Sequence, residues 1–197
     1  MNTLATLAAL CALIAIAPAQ TNTNEKAPTA THALAFDKDT EISVSFAAFT
    51  TAGGGWLRQL NDKGAAGTQS RKFYNEQYIT SYLKGSLKLS KDTQLGGNAL
   101  SAGAYKLTFR IDEDLVWHLV LLSDKDQEIC AIAMNTERDD KHAASRLSIT
   151  PIAAAEGKQG NLRVHFGPLR ADVPFMVGKP AAATPAKKPE AAGAKKN

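Results

Sequence analysis

Four histidines, at positions 32, 118, 142 and 165, are by type the side chains best suited to proton transfer or metal ligation near neutral pH. Their spacing argues against that chemistry. None has another His, a Cys or a carboxylate pair at ligand spacing, so neither a metal centre nor a cofactor site is expected. His118 and His165 lie in strand-like segments and would meet only if those strands were neighbours. Asp112-Glu113-Asp114 and Asp139-Asp140 bunch carboxylates, but short acidic side chains bond locally to turn backbones, and the spacing and central glycine of a calcium loop are missing. No serine sits in a nucleophile elbow, and no glycine-rich loop with a following lysine is present. No catalytic residue is assigned.

Binding is better supplied than catalysis. Trp56 follows three glycines, and Tyr74, Tyr78 and Tyr82 recur at helical spacing, so flat aromatic faces could line a platform for sugars or apolar ligands. The competing reading places these rings in the core, where large aromatics dominate burial. Candidate ligand-binding residues are therefore Trp56, Tyr74, Tyr78, Tyr82, His118 and His165. Cys130, between apolar neighbours in EICAIAM, reads as a small hydrophobe rather than a reactive thiol.

The elements that must position these groups are mainly strands. Tyr105, Leu107, Phe109 and Ile111 alternate with Lys106, Thr108 and Arg110, the period of a half-buried strand. Asp112 to Asp114 then turns the chain into Leu115 to Leu122, apolar on both faces, which predicts a hairpin. Glu128 to Met134 should pair with its second strand. Thr40 to Phe49, Ser86 to Ser90, Arg146 to Ile152, a strand stopped by Pro151, Leu162 to Phe166 and Val173 to Val177 add further strands, with Pro174 pointing to an edge. A polar loop is expected from 61 to 70, and one short helix near 71–83, a stretch for which an extended reading also stands. Short strands with close turns predict an all-β fold, an antiparallel β-sandwich over 36–178, with a jelly roll or partly closed barrel as variants.

Residues 1–19 hold no charged side chain and an apolar run ending in Ala17-Pro18-Ala19, the pattern of a signal peptide. Residues 20–35 read as a disordered or extended leader. The 179–197 segment has no bulky apolar residue and reads as a disordered tail. That tail carries five lysines against Glu190, a balance equal to the +4 of the whole chain, which leaves 18 basic and 18 acidic residues in 20–178. A neutral body excludes specific nucleic-acid recognition by charge, while the tail suits anionic polymers. No transmembrane segment is expected after signal cleavage.

The stretch GGNALSAGAYKLTFRIDEDLVWHLVL, followed at a distance by NLRVHFGPLRADVPFMV, resembles the exported bacterial family called domain of unknown function 2911. Gly96, Gly97, Leu100, Ala102, Gly103 and Tyr105 match its doubled-glycine turn and strand opening; Trp117 matches its strand tryptophan; Arg170 and Val173 to Val177 match its closing strand. The Arg-Pro, Gly-Arg and Trp-Arg elements of that family have no counterpart here. The resemblance implies fold and export, with no activity to carry over. The expected protein is an exported, periplasmic or extracellular, non-catalytic binding or envelope-associated domain, with carbohydrate or envelope polymer as partner. The alternatives are a hydrolase or other enzyme with an unrecognised pocket, and a structural partner in an extracytoplasmic assembly.

Overall fold

Period-two patterning, with buried and open positions alternating, sets most of the architecture. The computed structural model describes residues 27–50, 55–78 and 85–178. The signal peptide at 1–19, the first part of the leader and the tail at 179–197 lie outside them, as do residues 79–84 with Tyr82. In chain order the elements are β1 (Thr29–Asp37), β2 (Thr40–Ala47), α1 (Gly55–Leu60), α2 (Ala65–Phe73), a π-helical turn (Tyr74–Tyr78) and β3 (Gly85–Leu89). There follow β4 (Thr93–Leu95), β5 (Asn98–Leu100), β6 (Gly103–Ile111), β7 (Trp117–Leu122), β8 (Glu128–Met134), β9 (Glu137–Arg138), β10 (Ala144–Ala153), β11 (Gln159–Gly167) and β12 (Leu169–Val177).

The strands form two antiparallel sheets, one ordered β1-β2-β3-β6-β7-β8 and the other β10-β11-β12-β4-β5, with β9 added beside the start of β12. The chain is thus an all-β sandwich. Ile42, Val44 and Phe46 of β2, Leu107, Phe109 and Ile111 of β6, and Leu119 and Leu121 of β7 meet Ile149, Leu162, Val164, Val173 and Phe175 of the opposite sheet in one core. Burying each such side chain contributes about 1.5–3 kcal/mol, so the alternation itself supplies the drive for the two sheets to close. Phe49, Trp117 and Phe166 interlock edge to face, with centroid separations of 5.0 and 6.1 Å.

The β4–β5 turn shows why a glycine pair stands there. Gly96 and Gly97 have φ of +53° and +83°, the positive values of a two-residue hairpin turn. A Cβ on Gly96 would lie 2.3 Å from Ile132 Cγ2, so its backbone is pressed onto β8 of the other sheet.

Several expectations are corrected. A strand already starts at Thr29, ahead of Phe36: Ala30, His32, Leu34 and Phe36 alternate inward along β1, a pattern obscured in sequence by alanine and histidine. The expected polar loop over 61–70 is mostly helix, because α2 starts at Ala65 and ends at Phe73, before the 71–83 span is half covered; a π-helical turn continues to Tyr78. Pro151 does not stop its strand, since β10 is an edge strand and tolerates a missing donor. Pro174, conversely, does not mark an edge. β12 lies inside its sheet, but its β9 partners reach only Leu169 and Arg170 and its β4 partners begin at Phe175, so the proline falls in the gap between them.

Candidate functional site

His118 and His165 are not brought together. β7 and β11 belong to different sheets, and each histidine follows or precedes a core residue, Trp117 and Phe166 respectively, so the two rings sit on opposite outer faces of the sandwich. His118 Nε2 donates to Asp112 Oδ2 at 2.9 Å, and Asp112 Oδ1 also accepts the Val116 N–H at 2.8 Å. The bond from His118 holds the Asp112 carboxyl below its ordinary value. The other nitrogen, Nδ1, is buried without a partner among the described residues, as is Nε2 of His165. Through Asp112, which also accepts the Val116 N–H, the His118 bond holds the β6–β7 turn.

His32, placed by sequence in the leader, is instead a strap between sheets. Its Nδ1–H donates to the Ile149 carbonyl at 2.8 Å, with Thr150 Oγ1 2.9 Å away, and its ring stands edge-on to Phe46. The chemistry is structural. His142 is exposed and holds Asp139, lowering that carboxyl.

Of the aromatic candidates, Tyr74 can be placed fully. Its ring is only 5% exposed and packs in the core, so it offers no platform. The side chains of Trp56 in α1 and Tyr78 in the π-helical turn, and the whole of Tyr82, lie outside the description. Tyr74 helps line a space between the sheets with Phe49, Phe109, Trp117, Met134 and Phe166. That space amounts to about 20 Å³, far short of the few hundred a small-molecule ligand fills, although the buried Trp117 indole N–H beside it has no partner among the described residues.

The opposite character is found where the β1–β2 turn, the β3–β4 link and the β10–β11 turn converge. Thr40, Lys91, Asp92, Ala102, Lys158, Val177 and Gly178 line a concave groove of about 410 Å³, within the ligand-sized range. Lys158 is fixed there: its ammonium pairs with Asp37 and donates to Thr40 Oγ1 at 3.1 Å. That hydrogen bond from Lys158, assisted by the Asp39 N–H, brings the Asp37 carboxyl down to about 2. Asp92 is held by its Oδ1, which accepts the Ala102 N–H at 2.9 Å, and its carbonyl accepts from Gly178 at 2.8 Å. The exposed Lys91 ammonium has no partner among the described residues. Two ammonium groups and a carboxylate on a rigid frame can hold a ligand bearing both carboxylates and hydroxyls.

Sequence reading missed this groove because its residues come from five separate segments and carry no motif. The one signal available was the neighbouring pair Lys91-Asp92 within a turn. Comparison with known proteins adds nothing further: no family model, curated protein or solved structure matches the chain. The residues that carry the resemblance to the exported family fall in the Gly96-Gly97 turn and β5, in β6, at Trp117 in the core and along β12, and of these only Ala102 and Val177 touch the groove. No described helix is long and apolar enough to cross a membrane.

Proposed function

We propose that the protein is an exported, non-catalytic β-sandwich that binds an acidic polysaccharide of the cell envelope in the Lys91–Asp92–Lys158 groove. The observation that carries this reading is Lys91, an ammonium without a partner among the described residues at the mouth of a ligand-sized hollow whose other charges are already fixed. Sugar carboxylates would meet Lys91, and sugar hydroxyls would donate to Asp92. The signal-like segment at 1–19 and the family resemblance support export. Five lysines follow Gly178, a groove residue, in sequence, and they would add salt-sensitive attraction to the same polymer.

The test is retention on immobilised polygalacturonate. The full chain should bind at about 50 mM salt and release by about 200 mM. Lys91→Glu should lose most of the retention while melting like the parent, and ending the chain after Gly178 should weaken the salt dependence. Equal retention of the parent and a Lys91→Glu chain ended after Gly178 would dispose of the reading.

A further inference from the structure

Four charged groups lie in or beside the groove, and two of them cancel. Lys158 pairs with Asp37 and also donates to Thr40 Oγ1 at 3.1 Å. Lys91 and Asp92 remain, neighbours in sequence, opposite in sign and both exposed on the groove. Among the described residues the Lys91 ammonium has no partner, while Asp92 has one, the Ala102 N–H on Oδ1 at 2.9 Å, which leaves Oδ2 open. The four groups together carry no net charge, so attraction for anions alone does not describe what the groove is built to take.

The backbone under Lys91 and Asp92 is anchored. Ser90 Oγ accepts the Glu41 N–H at 2.7 Å and donates to the Asp39 carbonyl at 3.2 Å. The Thr93 hydroxyl donates to the Lys91 carbonyl at 2.9 Å, and the Asp92 carbonyl accepts the Gly178 N–H at 2.8 Å. With Oδ1 held as well, Asp92 is a fixed negative charge beside Lys91. A ligand bearing only carboxylates is drawn by the one and repelled by the other. Sugar hydroxyls satisfy the lone pairs of a carboxylate and leave its charge. An ammonium satisfies both, through a charge-assisted bond roughly twice as strong as a neutral one.

We propose, resting on the reading of this groove as a polysaccharide site, that its ligand is zwitterionic: a glycan with a uronate carboxylate and a free amino group on adjoining sugars, the carboxylate on Lys91 and the ammonium on Asp92 Oδ2. Charge complementarity favours this class over a polymer of uronates alone, and over sulfated or phosphorylated chains, whose denser negative charge Asp92 opposes more strongly. Lys91 supplies an attraction common to every acidic polymer, and Asp92 sets the specificity. An N-acetylated amino sugar falls outside the class, because it offers Asp92 an N–H donor without a charge.

The probe is an alternating polymer of glucuronate and N-acetylglucosamine, compared with the same polymer after its acetyl groups are removed, at about pH 6 so that the freed amines are protonated. Removing the acetyl groups lowers the net negative charge, so attraction to lysines alone would give weaker binding. The full chain should instead bind the deacetylated polymer about fivefold more tightly at about 150 mM salt. That preference should fade as pH rises past about 8 and the amines lose their protons. Among the described residues no histidine lines the groove, so the change belongs to the ligand. Asp92→Asn, which keeps an acceptor for the Ala102 N–H, should melt like the parent, bind the acetylated polymer at least as well and show no preference. Equal binding of the two polymers by the parent, or a preference that survives in Asp92→Asn, would overturn the proposal, while polygalacturonate retention that depends on Lys91 would still stand for the groove. Undiminished polygalacturonate retention by Lys91→Glu would remove both. Tighter binding to a copolymer of glutamate and lysine than to the deacetylated glycan would assign the groove to a peptide and overturn the proposal as well.

Discussion

At the scale of single residues, Leu115 is the position where side chain and backbone disagree. Its φ is +67°, left-handed, in the turn where its own N–H bonds the Asp112 carbonyl at 3.2 Å and the Val116 N–H bonds the Asp112 carboxylate. Holding an ordinary residue there costs on the order of 1–2 kcal/mol, and asparagine tolerates the region best among residues with a Cβ. Leu115→Asn should therefore melt above Leu115→Val by a margin of about 1 kcal/mol, because a β-branched residue adds strain at the same angle. Equal melting of the two variants would show that the turn relaxes out of that conformation. The aspartate turn was read correctly from Asp112-Glu113-Asp114. That it hinges on a leucine was not legible, since nothing local to leucine favours positive φ.

At the scale of elements, the helical pair between β2 and β3 is held by contacts that sequence patterning does not register. Arg71, only 6% exposed, donates through Nη1 to the carbonyls of Leu60 and Asp62 at the end of α1, and through Nη2 to Thr68 Oγ1 at 3.2 Å. A cation on carbonyls at a helix C-terminus satisfies both their lone pairs and the dipole. Arg71→Met should cost about 2 kcal/mol in urea unfolding, the worth of charge-assisted bonds lost while their acceptors stay buried. Gly67 makes a sharper test. Alanine normally gains about 1 kcal/mol over glycine inside a helix, yet a Cβ here would stand 2.0 Å from the Asp62 carbonyl oxygen. Gly67→Ala should thus destabilise, and a gain in stability would mean that α2 is free to shift off the α1 end. These contacts explain why 61–70 read as loop. Glycine and polar residues that usually break helices are here the ones that let two short helices touch. Strands were legible where Val, Ile, Leu and Phe alternate, as in β2, β6 and β11, and illegible in β1, whose inward positions include alanine and histidine. The groove escaped for a related reason, because its parts adjoin only after both sheets are assembled.

At the scale of the whole molecule, the carboxylates that tie distant segments together set the response to acid. Asp37 reaches across the sandwich end to Lys158, and Asp172 takes Arg163 at 2.8 Å on the outer face of the second sheet; each carboxyl lies below its ordinary value, chiefly through that partner's hydrogen bond. Asp112 and Asp139 are lowered in the same direction by His118 and His142. A depressed folded value means that the unfolded chain takes up protons first as pH falls. The stabilisation is complete above the unfolded value near 3.8 and is lost as pH drops from there through the folded value, about 2 for Asp37. Urea midpoints should therefore be level between about pH 5 and 7 and fall steeply between about pH 4 and 2. The Asp37→Asn, Asp172→Asn double variant should start lower near neutrality, having lost both pairs, yet fall less across the acid range, because two of the groups that bind protons on unfolding are gone. If parent and variant lost the same amount between pH 4 and 2, the acid limb would belong to other carboxylates, and the ties from Asp37 to Lys158 and from Asp172 to Arg163 would contribute nothing to holding the fold.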